Sequence, residues 1–209
     1  NAGESLQVNI SDARSKSLGR QARVSGEDFG TSNILQGAGE ELTDTDLTIN
    51  SINIRASVAA DDLVSTVGAA SSAIAKAAAI NDSTEYTGVR AIANATVAQA
   101  ADGITSATLD SLNNITINNE VITGFVVEDN DANGNLVNAI NAVADRTGVT
   151  ASLNEEHQLT LTAEDGRNID VTVNGTATRL GLIDNPGNQT FGGTVTLQSS
   201  DQMTVTSDT

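Results

Sequence analysis

Two segments of this chain run through the same order of apolar and polar positions. "DLTINSINI" (46–54) and "NITINNEVI" (114–122) share the tripeptides Thr48-Ile49-Asn50 and Thr116-Ile117-Asn118. Each is followed by apolar residues spaced three and four apart, the period of one helix face. In the first segment these are Val67, Ala70, Ile74 and Ala78; in the second they are Leu136, Ile140, Val143 and Ala144. Asn135 has the chemistry of an N-cap, and Gly148 stands where the chain should leave the second helix. Both helices lead to a Thr-Gly-Val step, at 87–89 and 147–149, and on into a strand. On this alignment Ala139-Ile140 matches Ala73-Ile74, Gly134 falls on Gly68, and the first copy carries six additional residues after its helix, within "NDSTEY".

Downstream the period changes to two. Leu159 and Leu161 alternate with Thr160 and Thr162, and Ile169, Val171 and Val173 alternate again beyond Asp165-Gly166, which predicts a hairpin. A second hairpin is predicted in the tail, with Val195 and Leu197 facing Met203 and Val205 across "SSD". One helix over one small sheet, repeated, defines the expected class: α+β, two related small modules, each a short helix packed on a small mainly antiparallel sheet, plus β-rich connecting segments. The expected divisions are a connector over 1–40, modules over 41–109 and 110–183, and a returning β-hairpin over 184–209 that packs near the connector.

Composition narrows the function. The 209 residues include three Phe, one Tyr and no Trp, so Ala, Val, Ile and Leu must fill the core. Such cores form thin layers rather than the aromatic-lined pockets that small ligands favour. A formal charge of −17 argues against a nucleic-acid partner and against docking on an anionic membrane. Without cysteine there is no disulfide framework and no thiolate chemistry. No stretch approaches the roughly 20 apolar residues of a membrane-crossing helix, and the first residues lack the pattern of a signal peptide. Residues 1–26 hold four of the ten basic residues and only two acids, against six basic and 25 acidic residues in the remainder. That asymmetry predicts a boundary near Gly26 and a different environment on each side.

The chemical candidates are few. Asp129, Asp131, Asn133 and Gly134 occupy positions 1, 3, 5 and 6 of a calcium loop. Position 9 is Val137, however, and position 12, which needs a bidentate Glu, is Ile140. A glycine turn launching a core helix is the expected reading, with Leu136 and Ile140 its buried half. His157, the single histidine, cannot supply a two-histidine zinc site. "GAGEEL" from Gly37 lacks the third glycine of a dinucleotide loop, and the paired acids Asp61-Asp62, Glu155-Glu156 and Glu164-Asp165 read as solvated turns. No catalytic, cofactor or metal residue is nominated, and no enzyme activity is expected.

"LTINSINI … AIAKAAAIN … TGVRA" and "ITINNEVI … LVNAINAVADRTGVTASLNEEHQLTLTAEDGRNIDV" resemble the repeats of bacterial flagellins, with "TGVTASLN … LTLTAEDGRNI" the more specific part. "NAGESLQVNISDARSKSLG" resembles the segment where a flagellin leaves its helical core. Related repeats occur in filament-cap and hook-associated proteins, which are the alternative; a calcium-dependent extracellular adhesin module is the alternative from another class. The resemblance implies a structural, secreted subunit of the motility filament, here its solvent-facing outer domains, excised from the polymerising core. It also implies partner subunits that join through core helices not in this sequence, a monomeric isolated fragment, O-linked glycans on exposed Ser or Thr, and an antigenic surface. On this reading Asn1 and Thr209 lie on the same side of the molecule.

Overall fold

A computed structural model describes residues 22–25, 35–183 and 186–207. Asn1 and Thr209, whose placement was predicted, lie outside the described residues. The N-terminal part contains strands β1 (Ala22–Ser25), β2 (Leu47–Ile49) and β3 (Ile52–Asn53), helices α1 (Ala73–Asn81) and α2 (Thr84–Thr87), and strand β4 (Val89–Ala93). The middle contains β5 (Thr96–Gln99), β6 (Ala107–Leu109), β7 (Ile115–Ile117), β8 (Glu120–Ile122) and β9 (Phe125–Val127). Helices α3 (Asn135–Asn141) and α4 (Ala144–Thr147) follow, then β10 (Thr150–Leu153), β11 (Leu159–Ala163), β12 (Ile169–Val173) and β13 (Gly187–Phe191). The chain closes with β14 (Val195–Ser199) and β15 (Val205–Ser207).

The fold is α+β, and every pairing among the described strands is antiparallel. Strand orders are β1-β14-β4, β15-β2-β3, β10-β11-β5, β13-β12-β7-β8 and β6-β9. Buried apolar residues fall into two clusters. One gathers Leu47, Ile49, Ile80, Val89, Val195 and Leu197; the other gathers Ile115, Ile117, Leu136, Ile140, Leu159 and Leu161. The alternating Leu159/Leu161 and Ile169/Val171/Val173 all point inward, as predicted.

Neither predicted hairpin forms. β11 pairs with β10 and β5, whereas β12 pairs with β13 and β7, so residues 164–168 carry the chain from one sheet to another. Gly166, at φ +81°, makes that corner, and a Cβ there would meet the Asn94 carbonyl at 2.8 Å. In the tail, β14 pairs with β1 and β4, while β15 pairs with β2. Alternation fixes which face of a strand is buried and says nothing about the neighbour along its edge.

The predicted alignment of the helices is also corrected. Asn81 accepts from the Ala91 amide (2.8 Å) and donates to the Ala91 carbonyl (3.0 Å). Asn141 does the same to Ala151, again at 2.8 and 3.0 Å. Ile80-Asn81 therefore corresponds to Ile140-Asn141, and the step from there to Gly88 and Gly148 is equally long in both copies. From Asn50 to Asn81 is 31 residues, against 23 from Asn118 to Asn141, so the first copy's additional eight residues precede its helix. In consequence α1 buries Ala73, Lys76, Ala77 and Ile80, not the predicted face; Val67 is exposed and Ile74 half-buried.

Candidate functional site

The loop ahead of α3 is built by backbone geometry that few side chains tolerate. Asn130 (φ +59°), Asp131 (φ +49°) and Gly134 (φ +69°) all lie in the left-handed region, where Asn, Asp and Gly are least strained. Asp131 is thereby turned inward and buried, with one carboxylate oxygen accepting from the Leu136 amide and the other from the Val137 amide, both at 3.0 Å. It caps the helix from upstream, a role predicted for Asn135, which is instead the first helical residue. Asn135 donates to the Val126 carbonyl at 2.9 Å, beside Asn133 at 3.0 Å. Asp129 accepts from the Ser106 amide at 2.6 Å. The candidate ligands thus share one turn, with Asp131 buried beneath it and Asp129 and Asn133 exposed. Both Asp131 oxygens are committed to amides, so the turn works as a helix cap. Leu136 and Ile140 are fully buried.

Replacing Asp131 with Ala is expected to cost about 1–2 kcal/mol, since two α3 amides lose their acceptor. Urea denaturation checks this, and the loss should be the same in chelator as in millimolar calcium.

His157 lies exposed in the turn between β10 and β11, at φ +59°, its amide bonded to the Asn154 carbonyl. Asp61 is clamped by Arg55 (Nη1–Oδ2 2.7 Å), whose hydrogen bonds hold that carboxyl below the usual range. Burial pushes the Asp62 carboxyl up, but hydrogen bonds with Ser65 and Ser72 and the Ser65 and Val64 amides outweigh it, so it too stays low. Asp165 pairs with Arg167 at 2.6 Å and is shifted the same way against its own burial. These acids serve turns and ion pairs. Two open grooves of about 460 and 500 Å³ share Arg179, which donates to the Ser106 carbonyl, and are otherwise lined mainly by Thr, Gly, Ser and Asn. Among the described residues no group of three His, Asp or Glu is placed to hold a metal. No described helix is long and apolar enough to cross a membrane.

What recurs instead is a structural framework. Asn118, at φ +46°, donates to the Thr147 carbonyl (2.8 Å) and accepts from the Asp170 amide (2.9 Å). Asn50, at φ +50°, donates to the Thr87 carbonyl (2.7 Å) and accepts from the Thr204 amide (2.8 Å). The hydroxyls of Thr87 and Thr147 each accept from the amide two residues on, at 3.1 Å in both cases. Gly88 and Gly148 follow in the left-handed region. The sequence marked Asn50 and Asn118 through their shared tripeptides, but the pair Asn81 and Asn141 went unmarked. The signal was there in "AIN", at 79–81 and 139–141, followed seven residues later by Gly-Val in both copies.

Most of the second copy of this framework lies in a segment that matches a known family. Residues 114–165 match the flagellin hook IN motif. The chain is 30% identical over 167 residues to Flagellin B of Helicobacter pylori strain ATCC 700392 / 26695, an alignment covering 79% of this chain and 32% of that protein. It is 41% identical over 99 residues to Flagellin A of Helicobacter felis (46% of this chain, 18% of that protein). With Flagellin A of Helicobacter mustelae it shares 37% over 91 residues (43% and 18%). The chain is α+β, and the asparagines that recur in its two copies are bonded to its own backbone. It is a flagellin-type protein. The chain spans about a third of the length of the first of these relatives.

Proposed function

We propose that this chain forms the solvent-exposed outer region of a flagellin subunit, a structural, non-enzymatic part of the extracellular flagellar filament. The alignment with Flagellin B carries this reading, because it takes in most of this chain and only a third of the relative. Polymerisation would then belong to core helices outside this sequence. The formal charge of −17 would keep neighbouring surfaces hydrated and apart, and exposed Ser and Thr would be the sites for O-linked glycans.

The outer region is two related modules, one inserted in the other. The first comprises β1–β4, α1, α2, β14 and β15; the second comprises residues 96–191. Supporting this, β1-β14-β4 with β15-β2-β3 repeats the plan of β5-β11-β10 with β12-β7-β8. Ala91 pairs with Leu197 as Ala151 pairs with Leu161. On this reading the boundaries shift from 109/110 to the two chain crossings at 94–95 and 192–193.

Immunogold labelling with antibody raised against this chain tests the filament assignment. Decoration along the whole filament is expected. Label confined to the tip or to the hook junction would replace it with a cap or hook-associated role, and absence from flagella would remove it.

A further inference from the structure

The additional eight residues of the first copy have work of their own. They belong to a segment, residues 58–72, that runs through short 3-10 turns at Ala59–Asp61 and Ala69–Ser71. This strap is tied firmly to the first module. Arg55 reaches Asp61 with both terminal nitrogens (2.7 and 2.9 Å) and Asp82 with Nε (2.6 Å). The Ser57 hydroxyl donates to the Ala70 carbonyl at 2.6 Å, and Asp62 Oδ1 holds the Val64 and Ser65 amides.

Its outer bend touches the second module instead. Asn168 donates its amide N–H to the Ser65 hydroxyl (2.9 Å) and its side-chain nitrogen to the Val67 and Gly68 carbonyls (3.1 and 3.0 Å). Thr66 Oγ1 lies 3.5 Å from Asn118 Oδ1, in the turn between β7 and β8. Asn168 is almost completely buried although it lies at a corner between two strands. Asp170 and Thr204 play matching parts opposite Asn118 and Asn50, so the residue corresponding to Asn168 in the first module is Gln202, which is exposed. The second module has no counterpart to the strap, its interval from Asn118 to Asn141 being eight residues shorter.

Covalently, the modules are joined where the chain crosses twice, and the crossings are bonded to each other: the Asn94 amide donates to the Thr194 carbonyl at 2.8 Å and its side chain to the Thr194 hydroxyl at 2.9 Å. Two chains running together make a single ribbon, and a ribbon can bend where it carries no further contact.

From this geometry we infer that residues 62–68 are an intermodule lock: clasped by Asn168, they hold the inserted module at one fixed angle to its host. The lock rests on the two-module reading. Its consequence is a projection that transmits drag as one rigid body, with the polar clasp the element that must open before the modules can swing. Three neutral hydrogen bonds in one small contact suit such a part, since each is modest and together they orient.

Residual dipolar couplings on the complete 209-residue chain test the lock. Strand amides of both modules should fit one alignment tensor in the unsubstituted protein. In the double variant Ser65→Ala/Asn168→Ala they should require two. One unchanged tensor in a variant with native chemical shifts in both cores overturns the proposal, as do two tensors in the unsubstituted protein. If the double variant fails to fold, Ser65→Ala alone decides, because Ser65 sits in the strap outside either core. Exchange of the Asn168 amide should then rise about tenfold or more, and an unchanged rate overturns the lock. Core amides of Leu161 and Leu197 distinguish the underlying reading: different denaturant dependences of their exchange uphold two modules even when the lock fails.

Discussion

Asn118→Ala is expected to destabilise the protein by about 3 kcal/mol, summing a lost buried partner and a strained backbone. Asn118 is 4% exposed, and its side chain does two jobs. Its oxygen accepts from the Asp170 amide, which would be left inside the protein without an acceptor. Its nitrogen donates to the Thr147 carbonyl, which keeps only a long contact of 3.3 Å from Arg167. The φ of +46° then adds its own cost, because Asn tolerates the left-handed region better than Ala. Asn50→Ala provides the internal control. It removes the corresponding pair of bonds, but Asn50 is half-buried and its bond from Thr204 faces solvent, so water can replace it. The loss there should be about half as large. Urea denaturation of both variants measures the difference. Equal losses would mean that burial does not set the worth of this asparagine.

The contrast shows what kind of information the sequence held. Thr48-Ile49-Asn50 and Thr116-Ile117-Asn118 announced a repeat because the same backbone problem, a two-residue left-handed turn, was solved twice with the same residues. Gly88 and Gly148 were legible for the same reason: each terminates a short helix in a conformation that few other residues adopt. The inward faces of β11 and β12 followed from period alone. Strand partners did not, since Val195 and Leu197 look the same whether β14 turns back on β15 or lies between β1 and β4. Pairing is decided by contacts over a hundred residues away in the chain, such as Ala91 with Leu197. The alignment slipped where "AIAKAAAI" offers "AI" at two places, and only the asparagine after the second of them, Asn81, bonds across to the next strand. At the calcium-like loop, the ligand count pointed to a turn, but the burial of Asp131 beneath the helix it caps could not be seen in its spacing. Asn168 left no local signal at all, because its partners are carbonyls about a hundred residues earlier.

Stability should rise with pH between about 8 and 10.5, and Lys76 is the cause. Asn81 corresponds to Asn141, so Lys76 occupies the place that Leu136 fills in the second cluster, and it is just as deeply buried at 1% exposed. Its ammonium reaches the Gln36 carbonyl at 2.7 Å, but among the described residues no carboxylate is bonded to it. Burial dominates its titration and lowers the pKa from 10.5 to about 8, with Glu40 and Asp46 opposing the shift from a distance. In the unfolded chain the lysine keeps its ordinary, higher pKa. Between the two values the unfolded state therefore binds more protons than the folded one, and raising the pH favours folding. The full swing is about 3 kcal/mol, reached as pH passes the unfolded pKa. Below the folded pKa the cost of burying the charge is present in full. Lys76→Met removes that cost while keeping an unbranched chain of similar length. It should stabilise the protein by about 2 kcal/mol at pH 7, the loss of the bond to Gln36 offsetting part of the gain. Denaturant titrations of both proteins from pH 7 to 10.5 isolate the lysine, since every other ionisable group is shared. The gap between the two stability curves should close as the pH rises and reverse slightly near pH 10.5, where the lysine protein keeps its bond to Gln36. Curves that stay parallel would show that the amine at position 76 is hydrated or paired in solution, and would contradict its burial beside Ile80 in the first core.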